Sequence, residues 1–329
     1  MLQKILLLII VSGSCLFAQP AAYRDLYLER NALSARALAM GMTGSAVARD
    51  NYDAVFINPA ALSPYANFSL KSESTLMDVR QFALQATVPL EKDTEFPDLI
   101  TVVDPVLAKS QSSVGARLSL GYANLAVADI AIADLSGTEL TVADVAGYSE
   151  QVFLLGYAQQ LFSGMQAGVT AKYFKNQLNV SKSIYDQGNA TGGDIDVGLL
   201  WQMQSLDVGL GYRNVLSALS QDGVLTWDTG VKSSFDHGLF FGMHKNYNRD
   251  LEFAVDIFNS RLHTLVYGLG LEYMAIPEFR LRGGYNSLQQ FSLGLGLVMN
   301  NQMIIDYTYV PDFGTVVDLK HFFSLSWLF

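Results

Sequence analysis

Cysteine is nearly missing from this chain: one residue in 329, Cys15. It falls in an N-terminal stretch that reads as an export signal, with Lys4 in a short charged lead, an apolar core over 5–17 and a cleavage site near Ala18. The core is too short for a membrane anchor. Lipidation of Cys15 fits poorly, because Ser12 stands where a leucine is wanted. With the signal removed, no cysteine is left, which excludes a disulfide framework and thiol chemistry. Beyond that stretch no uninterrupted apolar run of about 18 residues occurs, which argues against helical membrane spans.

Chemistry-bearing residues are equally sparse. There are four histidines, His237, His244, His263 and His321, and none lies at a metal-ligand spacing such as HExxH. No G-x-S-x-G elbow or phosphate-binding loop is present. His263 near Ser260 is the one imaginable catalytic pair, and a loop histidine near a serine is far more often incidental. Asp93, Asp98 and Asp104 fit a solvated acidic loop better than a calcium site. No catalytic residue, metal or cofactor is therefore assigned, and an enzyme is not expected. Basic surface is lacking too: the net charge is −10, the wrong sign for nucleic acid, whose phosphates attract Lys and Arg.

What the chain has is alternation. A strand turns successive side chains to opposite faces, and from residue 82 onward one phase is apolar and free of charge. The apolar sets fall at 82–88, 114–122, 126–132, 153–157, 167–173, 195–201, 206–212, 239–243, 251–257, 265–273, 279–285, 291–297 and 303–309. A fourteenth ends the chain, with Phe323, Leu325, Trp327 and Phe329 on one face. The other phase carries Arg117, Asp129, Lys172, Asp194, Asp196, Asp207, Arg213, Glu252, Asp256, Glu272, Arg280, Arg282 and Asp306. A β-sandwich with one solvated face also alternates. An export signal joined to a strand that ends on an aromatic residue instead predicts an all-β, antiparallel transmembrane β-barrel of about 14 strands in an outer membrane.

This reading divides the chain into a signal over 1–18, a lumen plug or hatch over 19–66 and a barrel over 67–329. Long connections, including 91–112 and 135–149, are expected outside. Short turns, including one near Asn124, are expected on the periplasmic side. Phe68–Met77 and Trp227–Phe235 have strand-like patterns that break this parity and are assigned to the plug exit and an extracellular loop. Glycines in the polar phase, such as Gly209, Gly211, Gly294 and Gly296, leave room for a plug or a close-packed interior, or relieve curvature. The terminal aromatic set would serve as the assembly signal, making the barrel-assembly machinery and outer-membrane lipid the expected partners.

The stretch 34–62 is rich in small residues and closes on an Asn-Pro turn signal. Ala35-Arg36-Ala37, Met40-Gly41, Ala46, Asp50 and Asn58-Pro59-Ala60-Ala61-Leu62 resemble the FadL-like outer-membrane superfamily, especially its PorV/PorQ branch, with Ala61 where a glycine is common. Arg282-Gly-Gly-Tyr285 and Asp306-Tyr-Thr-Tyr309 look like that branch as well. The resemblance implies a 14-stranded barrel with the N-terminal segment folded into the lumen. Arg36, Asp50 and Asn58 are the leading hatch residues: Arg36 and Asp50 pair either with lumen charges or locally with each other and solvent. FadL members pass hydrophobic molecules inward, whereas PorV and PorQ are associated with type IX secretion. The expected function is accordingly a role in protein secretion or surface assembly, with secretion proteins or exported cargo as partners. The alternatives are a channel for hydrophobic small molecules, lined by Met40, Met42, Val47 and Phe56, and a plugged barrel without transport.

Overall fold

The computed structural model describes residues 34–47, 53–74, 79–90, 115–136, 139–180, 188–248, 250–260, 265–287, 290–299, 302–312 and 318–329. The stretch read as an export signal, with Cys15, and also Asp50, the Asp93–Asp104 stretch and His263 lie outside the described residues. Alternation makes strands, and the strands are β1 (Asn67–Ser74), β2 (Val79–Pro89), β3 (Arg117–Ser136), β4 (Glu139–Phe162), β5 (Met165–Val180), β6 (Gly188–Gln202) and β7 (Leu206–Arg213). They continue with β8 (Leu225–Trp227), β9 (Lys232–Ser233), β10 (Gly238–Asn246), β11 (Leu251–Ser260), β12 (Val266–Ile276), β13 (Phe279–Asn286), β14 (Phe291–Met299), β15 (Met303–Asp312) and β16 (Asp318–Leu328). Fourteen of them close an antiparallel barrel, with β1 joined to β16 and β5 to β6. β8 and β9 are a small hairpin attached to the far end of β6.

The barrel contains 14 strands, but they are not the fourteen read from the sequence. The sets at 114–122 and 126–132 are one continuous strand, β3, and Asn124 is paired in mid-strand with Phe82 and Gln151 rather than turning. Both sets use even-numbered positions, the pairing with β4 shifts register only beyond Asn124, between Val127 and Ala133, and a lone Asn without Gly or Pro does not force a turn. Phe68–Met77, assigned to the plug exit, contains β1, which joins the two ends of the barrel. These two errors cancel in the count but not in the topology. The connection between β2 and β3 leaves from the same end as the C-terminus, where it was expected at the opposite end. Most of 135–149 is strand rather than loop. Trp227–Phe235 does lie in the long β7–β10 connection.

The exterior is apolar to a degree that water does not tolerate. Leu120 is 60% exposed, Trp201 54% and Leu293 64%, and similar side chains recur around the wall, far beyond the apolar patches of soluble proteins. Phe82, Tyr122, Phe153 and Tyr173 form a row with ring centroids 5.5, 4.9 and 6.4 Å apart, one part of an interfacial girdle. Among the described residues, the bases on the outside of the wall are Arg80 and Lys245 at strand ends and Lys175 beyond that aromatic row. There the cost of a lipid-facing cation falls to about 0–1 kcal/mol. The chain is an outer-membrane β-barrel. The end bearing the C-terminus has the short turns and is the periplasmic one by the usual asymmetry of such barrels.

Candidate functional site

The lumen is filled from residue 34 onward by the chain's own N-terminal segment. Its first element is helix α1 (Ala35–Ala39), started by Ser34, whose Oγ accepts from the Ala37 N–H at 3.2 Å. The helix ends in a Schellman closure: the Gly41 N–H donates to Leu38 O and the Met42 N–H to Ala37 O, with Gly41 at φ 73° in the position that favours glycine. Helix α2 (Ala54–Ile57) follows, then a 3-10 turn (Pro59–Ala61). Asn58 caps that turn, its Oδ1 accepting from the Ala60 N–H at 3.0 Å, while its amide nitrogen donates to Ser45 O at 2.7 Å and Leu199 O at 3.2 Å. Pro59 sets the first position of the turn, where no N–H is needed. Asn58 thus ties the two halves of the hatch to each other and to β6.

A buried chain of charges fastens the hatch to one side of the wall. Arg36 donates through Nε to Glu272 Oε2 at 2.9 Å and through Nη2 to Glu252 Oε2 at 3.2 Å. Glu272 also receives Arg282 Nε at 2.5 Å, and Arg282 Nη1 continues to Asp306 at 2.6 Å. Arg280 stands 3.8 Å from Glu272. At the other end His244 lies 3.1 Å from Glu252 and 3.7 Å from Asp207. The Asp256 carboxylate accepts the Gly44 and Ser45 N–H groups at 2.9 and 2.8 Å. Elsewhere Lys71 pairs with Asp53, which also accepts the Ser34 N–H at 2.6 Å. Arg117 donates to Leu62 O at the exit of the hatch, and Arg213 lies against the Phe240 and Phe258 rings while reaching Ile57 O.

Glycine in the wall makes this fit possible. A Cβ on Gly268 would meet Gly41 O, one on Gly284 the Met40–Gly41 peptide, one on Gly209 the Ser45 carbonyl and one on Gly168 Pro59. These glycines let plug backbone approach barrel backbone directly. Gly294 serves the same purpose beneath Ala39, while Gly296 clears space for the Arg282–Asp306 pair and Gly211 for the Phe240 ring.

On the β3–β6 side of the lumen lies an apolar cluster. Val55, Phe56, Ile57 and Leu62 of the hatch pack in one buried cluster with Leu125, Val152, Leu154 and Phe174 of β3–β5 and Leu200 of β6. The β7–β10 connection caps it, with Phe235 stacked at 4.0 Å on Phe174 and Leu225 packed in the same cluster. That cap is anchored by Lys172, whose Nζ reaches Asp196 at 2.7 Å and Asn214 Oδ1 at 2.9 Å. Asp194 accepts the Leu216 and Ser217 N–H groups at 2.8 and 3.1 Å at the start of helix α3 (Val215–Leu219).

Arg36, Met40, Gly41, Asn58, Pro59 and Ala60 therefore all sit within the lumen against the wall. All the charges named on the polar phase face inward except Asp129, whose side chain lies outside what is described. Met40 and Val47 are buried beside the charged side, and only Phe56 and Met42 join the apolar cluster. Phe323, Leu325, Trp327 and Phe329 alternate along β16, with Trp327 and Phe329 stacked 6.2 Å apart at the short-turn end. Sequence reasoning missed His244, Lys71, Asp53 and Asn214. His244 shares the polar phase of a recognised strand and was legible there. Lys71 was hidden by taking β1 for the plug exit, and no local pattern marked Asp53 or Asn214.

No family model matches the chain, and no curated protein is significantly similar in sequence. Solved structures are similar in fold. The toluene transporter TbuX of Ralstonia pickettii shares 12% identity at a TM-score of 0.60, over 91% of this chain and 99% of that one. The toluene transporter TodX of Pseudomonas putida shares 13% at 0.59, over 92% and 99%. A FadL homologue of Pseudomonas aeruginosa shares 10% at 0.56, over 89% and 97%. At such identities the likeness is one of fold alone.

Proposed function

We propose that this protein is a gated passage for small hydrophobic molecules across the outer membrane. The observation that carries the reading is the continuous apolar cluster shared by the hatch, the β3–β6 wall and the extracellular cap. On β4 it runs from Ala158 to Val152, about 20 Å of strand at about 3.3 Å per residue. Of the twelve described polar-phase charges, which at first weigh against a greasy pathway, eight lie on β7–β15, while Arg117, Lys172, Asp194 and Asp196 lie on β3–β6 and are taken up by the hatch exit and the cap. An apolar solute beside Leu125, Val152 and Phe174 would displace none of those pairs. The fold shared with two toluene transporters supports the same reading.

The test is uptake of labelled toluene or a labelled fatty acid by vesicles containing the protein. Uptake above that of protein-free vesicles is expected, and no difference would end this reading. A secretion or surface-assembly role of the PorV/PorQ kind has the wording of 34–62 in its support. It requires that deleting the gene alter the secreted proteome. A permanently plugged barrel predicts conductance only after the hatch is removed.

A further inference from the structure

The wall of β16, β1 and β2, between the Arg36 network and the apolar cluster, is polar and includes Lys71, paired with Asp53, and Glu73, in register with Gln81. Gln81 and Gln85 of β2 face the lumen and are 5% and 1% exposed. Between them Ala83 is in register with Ala123 of β3 and with Lys71 of β1, and Lys71 is in register with Ser324 of β16. Ala83 thus separates Gln81 from Gln85 along β2, and Lys71 lies between Ala83 and Ser324, across a patch about two strand spacings, or about 10 Å, wide. Among the described residues, neither the amide nitrogen nor the amide oxygen of Gln81 has a hydrogen-bond partner, and Gln85 Oε1 and Ser324 Oγ have none. Exchanging O and N in the Gln81 amide changes nothing, because both ends are unpaired.

Buried polar atoms are nearly always paired, so four unpaired ones in a single patch mark where the polar group of another molecule belongs. Its chemistry follows from the surroundings. Gln81 offers a donor and an acceptor together, matching a group that both accepts and donates. Lys71 is bonded to Asp53, so a carboxylate would enter without a compensating cation. Leu125 and Phe322, the buried neighbours toward the extracellular end, belong to the same apolar cluster as Phe56, so the rest of the molecule would be apolar. A pure hydrocarbon would leave all four atoms unpaired.

We propose that Gln81, Gln85 and Ser324 form a headgroup subsite that selects apolar molecules bearing one neutral hydrogen-bonding group, a hydroxyl or an amide, over hydrocarbons and carboxylates. The subsite deepens the transport reading above and rests on it. Phenol, toluene and benzoate share a ring and differ only in that group, and they can be titrated calorimetrically into the full-length protein held in amphipol. Phenol is expected to bind roughly five- to tenfold more tightly than toluene, as one or two net hydrogen bonds allow, with benzoate weakest. Gln81→Leu should remove the preference for phenol while leaving toluene binding intact, which also shows that the variant is folded. Equal binding of phenol and toluene by the unaltered protein overturns the proposal, and so does a preference that survives Gln81→Leu. Absence of binding by all three overturns it too. Vesicle uptake then separates the two failures: toluene uptake without phenol preference sinks the subsite alone, and no uptake sinks the transport reading.

Discussion

Arg36 and Glu272 are 236 residues apart in sequence and 2.9 Å apart in the folded chain, joining the plug to the inner wall of β12. Glu272 is shared with Arg282, and Arg36 is shared with Glu252. The hatch is thus one link in a chain of alternating charges that the wall would otherwise have to close by itself.

Removing that link leaves the buried Glu272 with Arg282 and Arg280, and the half-buried Glu252 with His244. Arg36→Ala should destabilise the docked hatch by less than the roughly 3–5 kcal/mol that orphaning a buried charge costs, because each carboxylate keeps another partner. The barrel itself should remain closed. Single-channel recording checks this: openings that are absent from the unaltered protein should appear, and a silent variant would mean that other contacts hold the plug. Arg36→Lys keeps the charge but not the fork that reaches both carboxylates, and should give an intermediate result.

Wall glycines give a paired test. Gly284→Ala places a methyl group against the Met40–Gly41 peptide of the hatch, whereas at Gly283 the nearest atom to a new Cβ is Ser292 O at 4.0 Å. Gly284→Ala should expose segment 34–62 to limited proteolysis, and Gly283→Ala should not. Equal protection in both variants would show that the hatch docks elsewhere.

The Lys71–Asp53 pair is nearly fully buried. Lys71→Met or Asp53→Asn alone should lower stability by about 3–5 kcal/mol, but the double variant should lose clearly less than the sum, since apolar or neutral replacement of both partners is far cheaper than orphaning one. Denaturant unfolding of the three variants measures the coupling, and strict additivity would contradict a direct bond.

At the C-terminus, deleting Phe329 or replacing Trp327 by Ala removes one half of a stacked pair at the periplasmic rim. Less protein should reach the outer-membrane fraction, read by blotting fractionated envelopes, while the little that arrives keeps a normal fold. Unchanged levels would dismiss these residues as an assembly signal.

Much of the wall was legible because lipid imposes a rule that acts residue by residue. A side chain on the apolar phase meets hydrocarbon whatever its neighbours are, so Leu293, Leu295 and Leu297 reveal a face without reference to any other strand. Where strands begin and end was less legible. Asn124 resembled a turn only in isolation, and β1 was obscured because counting it broke the parity of long and short connections that the split of β3 had already imposed. The hatch wording of Arg36, Gly41 and Asn58 marked a special segment but not its contacts.

Period-two alternation, an uncharged phase and an aromatic last strand determined by themselves that this chain closes into a membrane barrel, because each follows from local pleat geometry and the solvent on one side. Which carboxylate takes Arg36, why Gly268 and Gly284 must be glycine, and how the Arg36 network and the apolar cluster come to occupy different parts of the lumen were decided only by the tertiary structure. Those relations join residues from different strands and the plug, and their energies exist only once barrel closure brings hundreds of intervening residues into register and excludes water from the lumen.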